Sequence, residues 1–233
     1  MANRIPLILL PGLLCDHVLW QHQIDHLGDL ADCDVADLSS DDNVDAMARR
    51  VLVGAPDRFA LAGLSMGGYV AHAIMRAAPE RVTRLALFDT SARPDTDEQK
   101  MRRRGLIDLA EKGTFRGVTP RLLPLLIHPD RLEDKPLTDA VMGMAERIGK
   151  EAFLRQQEAI MSRPDSRPSL PRYACPTLVA CGRQDAITSV EINAEMASHI
   201  PGARFVVIEN SGHLPTMEQP VAATALLRYW LQG

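Results

Sequence analysis

Aromatic side chains are scarce in this chain: five Phe, three Tyr and two Trp among 233 residues. The hydrophobic share is nonetheless 46%, so the core must be aliphatic. Cysteine is also sparse. Cys15, Cys33, Cys175 and Cys181 form no CxxC pair and no Cys/His zinc spacing. Four are too few for a disulfide scaffold of this length, and a reducing compartment fits. Basic excess is missing: the formal charge is −4 and the pI about 6.0. That weighs against nucleic acid as a partner. No apolar run approaches the roughly 20 residues of a membrane span. The apolar stretch Ile5–Leu14 is broken at Pro11-Gly12 and lacks the order of a secretory signal. The expectation is a soluble, cytoplasmic protein without a membrane or nucleic-acid partner.

Ordinary globular composition, with 24% charged residues, argues against disorder. The length allows one or two domains. Short aliphatic runs alternate with longer amphipathic stretches. Ile5–Leu10, Cys33–Leu38, Arg58–Leu64, Val82–Phe88, Thr177–Cys181 and Arg204–Ile208 read as strands. Asn43–Gly54, Met66–Ala78, Val190–His199 and Pro220–Leu231 read as helices. Strands apolar on both faces and alternating with helices predict an α/β fold with a parallel sheet covered on both sides.

The stretch from Arg93 to about Pro171 differs. It shows helical patterns and no convincing strand. From Arg93 to Arg172 it holds 16 Lys/Arg against 13 Asp/Glu, a local +3, which leaves −7 elsewhere. It reads as a helical insertion, 93–171, in a core made of 1–92 and 172–233. Its charges read first as solvated helix faces.

The chemistry concentrates at Gly63-Leu64-Ser65-Met66-Gly67, a G-x-S-x-G pattern between a strand and a helix. A chain turning that sharply has no room for side chains at Gly63 and Gly67. The turn exposes the Ser65 hydroxyl at a helix N-terminus, where unpaired N–H groups favour negative charge. A serine hydroxyl needs a base. His213, in Ser211-Gly212-His213-Leu214-Pro215 after a predicted strand, opens at the same sheet edge. His22, His26, His72 and His199 fall in helical patterns and read as surface or packing residues. His128 lies in the insertion, and His17, near the first turn, is a candidate to line the site. The base needs an orienting carboxylate. Asp185 follows the strand at Thr177–Cys181; its rival Asp89 ends Val82–Phe88, where the plain alternative is a cap on the next turn. The order Ser, acid, His fits either, and Asp185 is preferred.

These motifs, with Leu10-Pro11-Gly12-Leu13-Leu14 and Trp20, resemble the α/β-hydrolase fold family over nearly the whole chain. The chain is similar to small bacterial carboxylesterases, 3-oxoadipate-type enol-lactonases and carbon–carbon bond hydrolases. The resemblance implies an oxyanion hole made by the N–H groups of Leu13 and Met66, and a lid formed by the insertion. Leu14 and Leu214 are candidate substrate contacts. Family members usually carry His-Gly where this chain has Pro11-Gly12; proline leaves the Leu13 N–H in place, so an intact turn is expected. The family sheet usually starts with two further strands, and four residues precede Ile5 here, so about six strands are expected, all parallel.

The reaction this predicts is hydrolysis of a small-molecule ester or lactone through an acyl-enzyme, with no cofactor and no metal. Carbon–carbon bond hydrolysis, or slow-turnover ligand binding by a receptor of the same fold, are the alternatives. If lactone acids are substrates, a cationic side chain is expected in the insertion, with Arg93 and Arg102-Arg103-Arg104 as candidates. A monomer or homodimer fits equally.

Overall fold

The computed structural model describes residues 4–113 and 115–233. Its centre is a six-stranded sheet in the order β2-β1-β3-β4-β5-β6. The strands are β1 (Ile5–Leu10), β2 (Ala31–Val35), β3 (Phe59–Leu64), β4 (Val82–Phe88), β5 (Thr177–Gly182) and β6 (Arg204–Ile208). Every pairing is parallel, as the apolar runs predicted.

Side chains along each strand alternate between two aliphatic layers, because successive Cβ atoms point to opposite faces. Ile8, Leu10, Leu61, Leu85, Leu87 and Val179 face one layer. There they pack against helices α2 (Val44–Gly54), α3 (Met66–Ala77) and α7 (Val190–His199). Leu7, Leu9, Ala60, Ala62, Ala86 and Ala180 face the other, beneath α1 (Gln21–Leu27) and α9 (Pro220–Gln232). Trp20 and Phe88 are both fully buried and meet edge-on, with ring centroids 5.9 Å apart.

The predicted strand at Cys33–Leu38 lies earlier, at Ala31–Val35. This edge strand pairs only with β1, in a register that sets Ala31 beside Ile5. Its alternating exposure, not a continuous apolar run, is its real pattern. Helix α1, rich in Gln, His and Asp, gave too weak an apolar stripe to be read.

Chain order reverses between β1 and β3. The first crossover leads outward to β2, and all later ones lead toward β6. Such a switch point opens a crevice at the carboxyl ends of the strands, where ligands bind in open parallel sheets. The loop after β1 and the turn after β3 flank that crevice.

Between β4 and β5 the chain leaves the sheet. It forms α4 (Asp97–Lys112), the short α5 (Leu123–Leu126) and the long α6 (Lys135–Ser162), which is kinked at Gly149. The four-residue α8 (Pro215–Glu218) precedes α9. No helix among the described residues is long and apolar enough to cross a membrane.

Candidate active site

Ser65 follows β3 and caps α3 with φ 55° and ψ −116°, a conformation that costs a side-chain-bearing residue about 1–3 kcal/mol. Neighbours hold it there. Its N–H donates to the Phe88 carbonyl at 3.0 Å, and its own carbonyl accepts from Thr90 Oγ1 at 2.7 Å and Gly68 N–H at 2.9 Å. The flanking glycines are required by space. A Cβ on Gly63 would lie 2.5 Å from the Gly67 carbonyl oxygen, and one on Gly67 would overlap the Leu10 carbonyl.

The Ser65 hydroxyl and His213 Nε2 are 2.9 Å apart, and His213 Nδ1 is 2.9 Å from Asp185 Oδ2. An ionised carboxylate can only accept, so Nδ1 carries the proton and donates to Asp185. Nε2 then accepts from the Ser65 hydroxyl. Asp185 also accepts from the N–H groups of Ile187 (2.8 Å) and Thr188 (3.1 Å) and from Thr188 Oγ1 (2.6 Å). Burial alone would raise its pKa. The electrostatic attraction of His213 and the hydrogen bonds from His213, Thr188 and Ile187 outweigh that and hold it well below the usual carboxylate range.

Asp89 is close but unconnected to the imidazole. One ligand atom each of Asp89, Asp185 and His213 lies within 4.8 Å of the others. Asp89 Oδ1 accepts from Gly182 N–H at 2.8 Å, tying the end of β4 to β5 instead of capping its own turn. Fully buried, and beside a better-satisfied carboxylate, it has its pKa pushed well up, by burial first and then by Asp185.

The N–H groups of Leu13 and Met66 donate to no other group among the described residues. The neighbouring Leu14 N–H does not share this freedom: Gln156 Oε1 accepts from it at 3.0 Å. Gln156 Nε2 in turn donates to the Leu38 carbonyl at 3.2 Å. Gln156 is buried, and its partners are too far away in sequence to have announced it.

The His213 loop is also anchored. Glu218 is buried and accepts from the N–H groups of Gly212 and Leu214, each at 3.0 Å, and of His128 at 2.6 Å. The His213 N–H donates to the Leu126 carbonyl at 2.9 Å. An acidic residue five positions after a loop histidine is the local sequence signal for Glu218.

A cavity of about 470 Å³ lies over Ser65 and His213. Leu13, Leu14 and Leu214 line it from the sheet side, and leucines of α4 and α5 with Phe115, Val141, Phe153 and Ile160 close it from the inserted side. His17 is exposed and lies outside the lining, paired loosely with Asp16 at 3.9 Å. Of the other histidines, His72 is buried against Tyr173 Oη at 2.9 Å, with its pKa pushed down to about 3 by burial and by Arg76 and Arg163. Arg93 pairs with Glu195 at 2.6 Å away from the cavity, and Arg102 is exposed beside Glu98. Arg103 does reach the lining, held by Asp95 at 2.6 Å and Gln157 at 2.8 Å. Asp95 also takes Arg163 at 2.7 Å, a buried junction that the sequence did not reveal.

A model described as the alpha/beta hydrolase family matches residues 7–225. The chain belongs to that family. A thermophilic esterase from Thermogutta terrifontis, solved with malate bound, superposes with a TM-score of 0.88 at 32% identity, covering 99% of this chain and 90% of that one. A pimeloyl-[acyl-carrier protein] methyl ester esterase of Vibrio campbellii is 24% identical, over 91% of this chain and 89% of its own length. A 3-oxoadipate enol-lactonase of Acinetobacter baylyi is 29% identical, over 69% of this chain and 58% of its own length.

Proposed function

We propose that this ester-acting α/β hydrolase cleaves a carboxylic ester or lactone of a small molecule, with Ser65 as nucleophile, His213 as base and Asp185 as its orienting acid. The observation that carries the reading is the hydrogen-bonded series from Ser65 through His213 to a fully buried Asp185. The hydroxyl proton passes to Nε2 as Oγ attacks the carbonyl carbon. The Leu13 and Met66 N–H groups receive the oxyanion, each contributing on the order of 3 kcal/mol to the transition state. The imidazolium, stabilised by Asp185, then protonates the leaving alcohol. Water activated by His213 releases the acid and restores Ser65. These residues complete the cycle with acid–base and nucleophilic chemistry alone.

In this reading the inserted helices, 93–171, serve as the lid of the core formed by 1–92 and 172–233. Their leucines, with Leu14 and Leu214 below, enclose the aliphatic part of the substrate and exclude water. The names of the Vibrio and Acinetobacter relatives support an open-chain ester and a lactone respectively, and both require the same steps.

Turnover of short 4-nitrophenyl esters tests the proposal, together with covalent labelling by a fluorophosphonate probe. Both are expected in the native chain and absent in S65A. Undiminished turnover in S65A removes Ser65 from the mechanism.

A further inference from the structure

Two guanidinium groups line the cavity, and their surroundings differ. Arg103 is mostly buried and is already spoken for by Asp95 and Gln157. Arg116 is exposed, and among the described residues no carboxylate lies within ion-pair distance of it. Its setting adds to the contrast. Residues 100–126 hold seven Lys/Arg against two Asp/Glu, in a chain whose net charge is −4. The same segment supplies Leu106, Leu109, Phe115, Val118, Leu122 and Leu125 to the cavity wall. An aliphatic enclosure with one uncommitted guanidinium suits a chain that is apolar along its length and anionic at one point. A guanidinium fork binds carboxylate or phosphate oxygens in pairs.

We infer that Arg116 is a specificity residue that binds an anionic group, and that the preferred substrate is an ester whose aliphatic acyl chain ends in a carboxylate or phosphate. The inference rests on the esterase reading above and adds the substrate class to it. Ser65 acts on the ester at the sheet side of the cavity while Arg116 holds the acid group at the inserted side.

The test compares 4-nitrophenyl hexanoate with mono-4-nitrophenyl adipate, which share a six-carbon acyl chain and differ in the terminal charge. A third ester, of 6-phosphonohexanoic acid, separates a phosphate-type group from a carboxylate. In the native chain kcat/KM is expected to favour a charged ester, and added salt to erode that preference. R116Q should lower the ratio of charged to neutral kcat/KM by about tenfold, mostly through KM, with R116K between the two. The better of the two charged esters identifies the anion. An unchanged ratio in R116Q overturns the inference while leaving the esterase reading intact. If no ester is turned over and Ser65 is not labelled, the esterase reading fails. Calorimetric titration of adipate into the native chain and R116Q then decides the Arg116 site separately: binding lost in R116Q supports it, and equal or absent binding refutes it.

Discussion

The sheet edge and the inserted helices meet at one cavity, but they are built by opposite rules. At the sheet edge the polar groups of Asp185 and the backbone of Ser65 are committed. Asp185 accepts four hydrogen bonds, and Ser65 is held at both its N–H and its carbonyl. On the inserted side, Leu106, Leu109, Leu122 and Leu125 line the cavity and still face solvent. Such a division suits an enzyme whose bond-breaking geometry tolerates no slack while its substrate wall can vary. Binding on a pliable aliphatic surface discriminates weakly per methylene, whereas misplacing a base costs orders of magnitude.

The sharpest way to break the comparison is at the acid. D185N should lower kcat by about 10⁴ in steady-state assays, because an amide no longer selects the Nδ1–H tautomer. D89N should retain turnover, since Asp89 bonds to Gly182 N–H and not to His213. The reverse result would transfer the acid role to Asp89.

The next largest effect concerns space. G67A should cost about 3 kcal/mol in urea denaturation, because its methyl group would overlap the Leu10 carbonyl. On the inserted side G105A meets nothing within 4 Å and lies in the exposed middle of α4. It should stabilise that helix by about 1 kcal/mol. Equal costs at both positions would erase the distinction.

A pH effect attaches to Asp89. Its folded pKa is raised, so between the unfolded value near 4 and the folded one the native state holds a proton that the unfolded chain has released. Stability from this group therefore falls as pH rises through that window. D89N should flatten the slope and gain stability at neutral pH, as read by urea midpoints from mildly acidic to neutral pH. An unchanged slope in D89N would mean that Asp89 is ionised in the native state.

The mildest prediction addresses the substrate wall. F153A should enlarge the cavity and shift kcat/KM a few-fold toward longer acyl chains across a series of 4-nitrophenyl esters. No shift would place the acyl chain elsewhere.

What could be read in the sequence follows from the range of the interactions. Five strands were found within a residue or so, because an aliphatic run bounded by turns encodes them locally. Ser65, Asp185 and His213 were legible for the same reason: each stands in a short loop directly after a strand. Gln156, whose partners Leu14 and Leu38 are 142 and 118 residues away, left no local trace. The Asp95 junction joins Arg103 and Arg163 only once α4 and α6 have packed. For a lactone-acid substrate a cationic residue is expected in the insertion, with Arg93 and Arg102-Arg103-Arg104 as candidates, yet which arginine faces the cavity depends on how α4 and the segment after it turn. That left Arg116 unnamed.

The seam between Leu126 and His128 has a mechanical consequence. It ties the middle of the insertion to the His213 loop through the Leu126 carbonyl and to Glu218 through the His128 N–H. That side of the cavity cannot swing outward without dragging the histidine with it. If the insertion acts as the proposed lid, a movement that admits substrate would therefore fall on the opposite side, along α4.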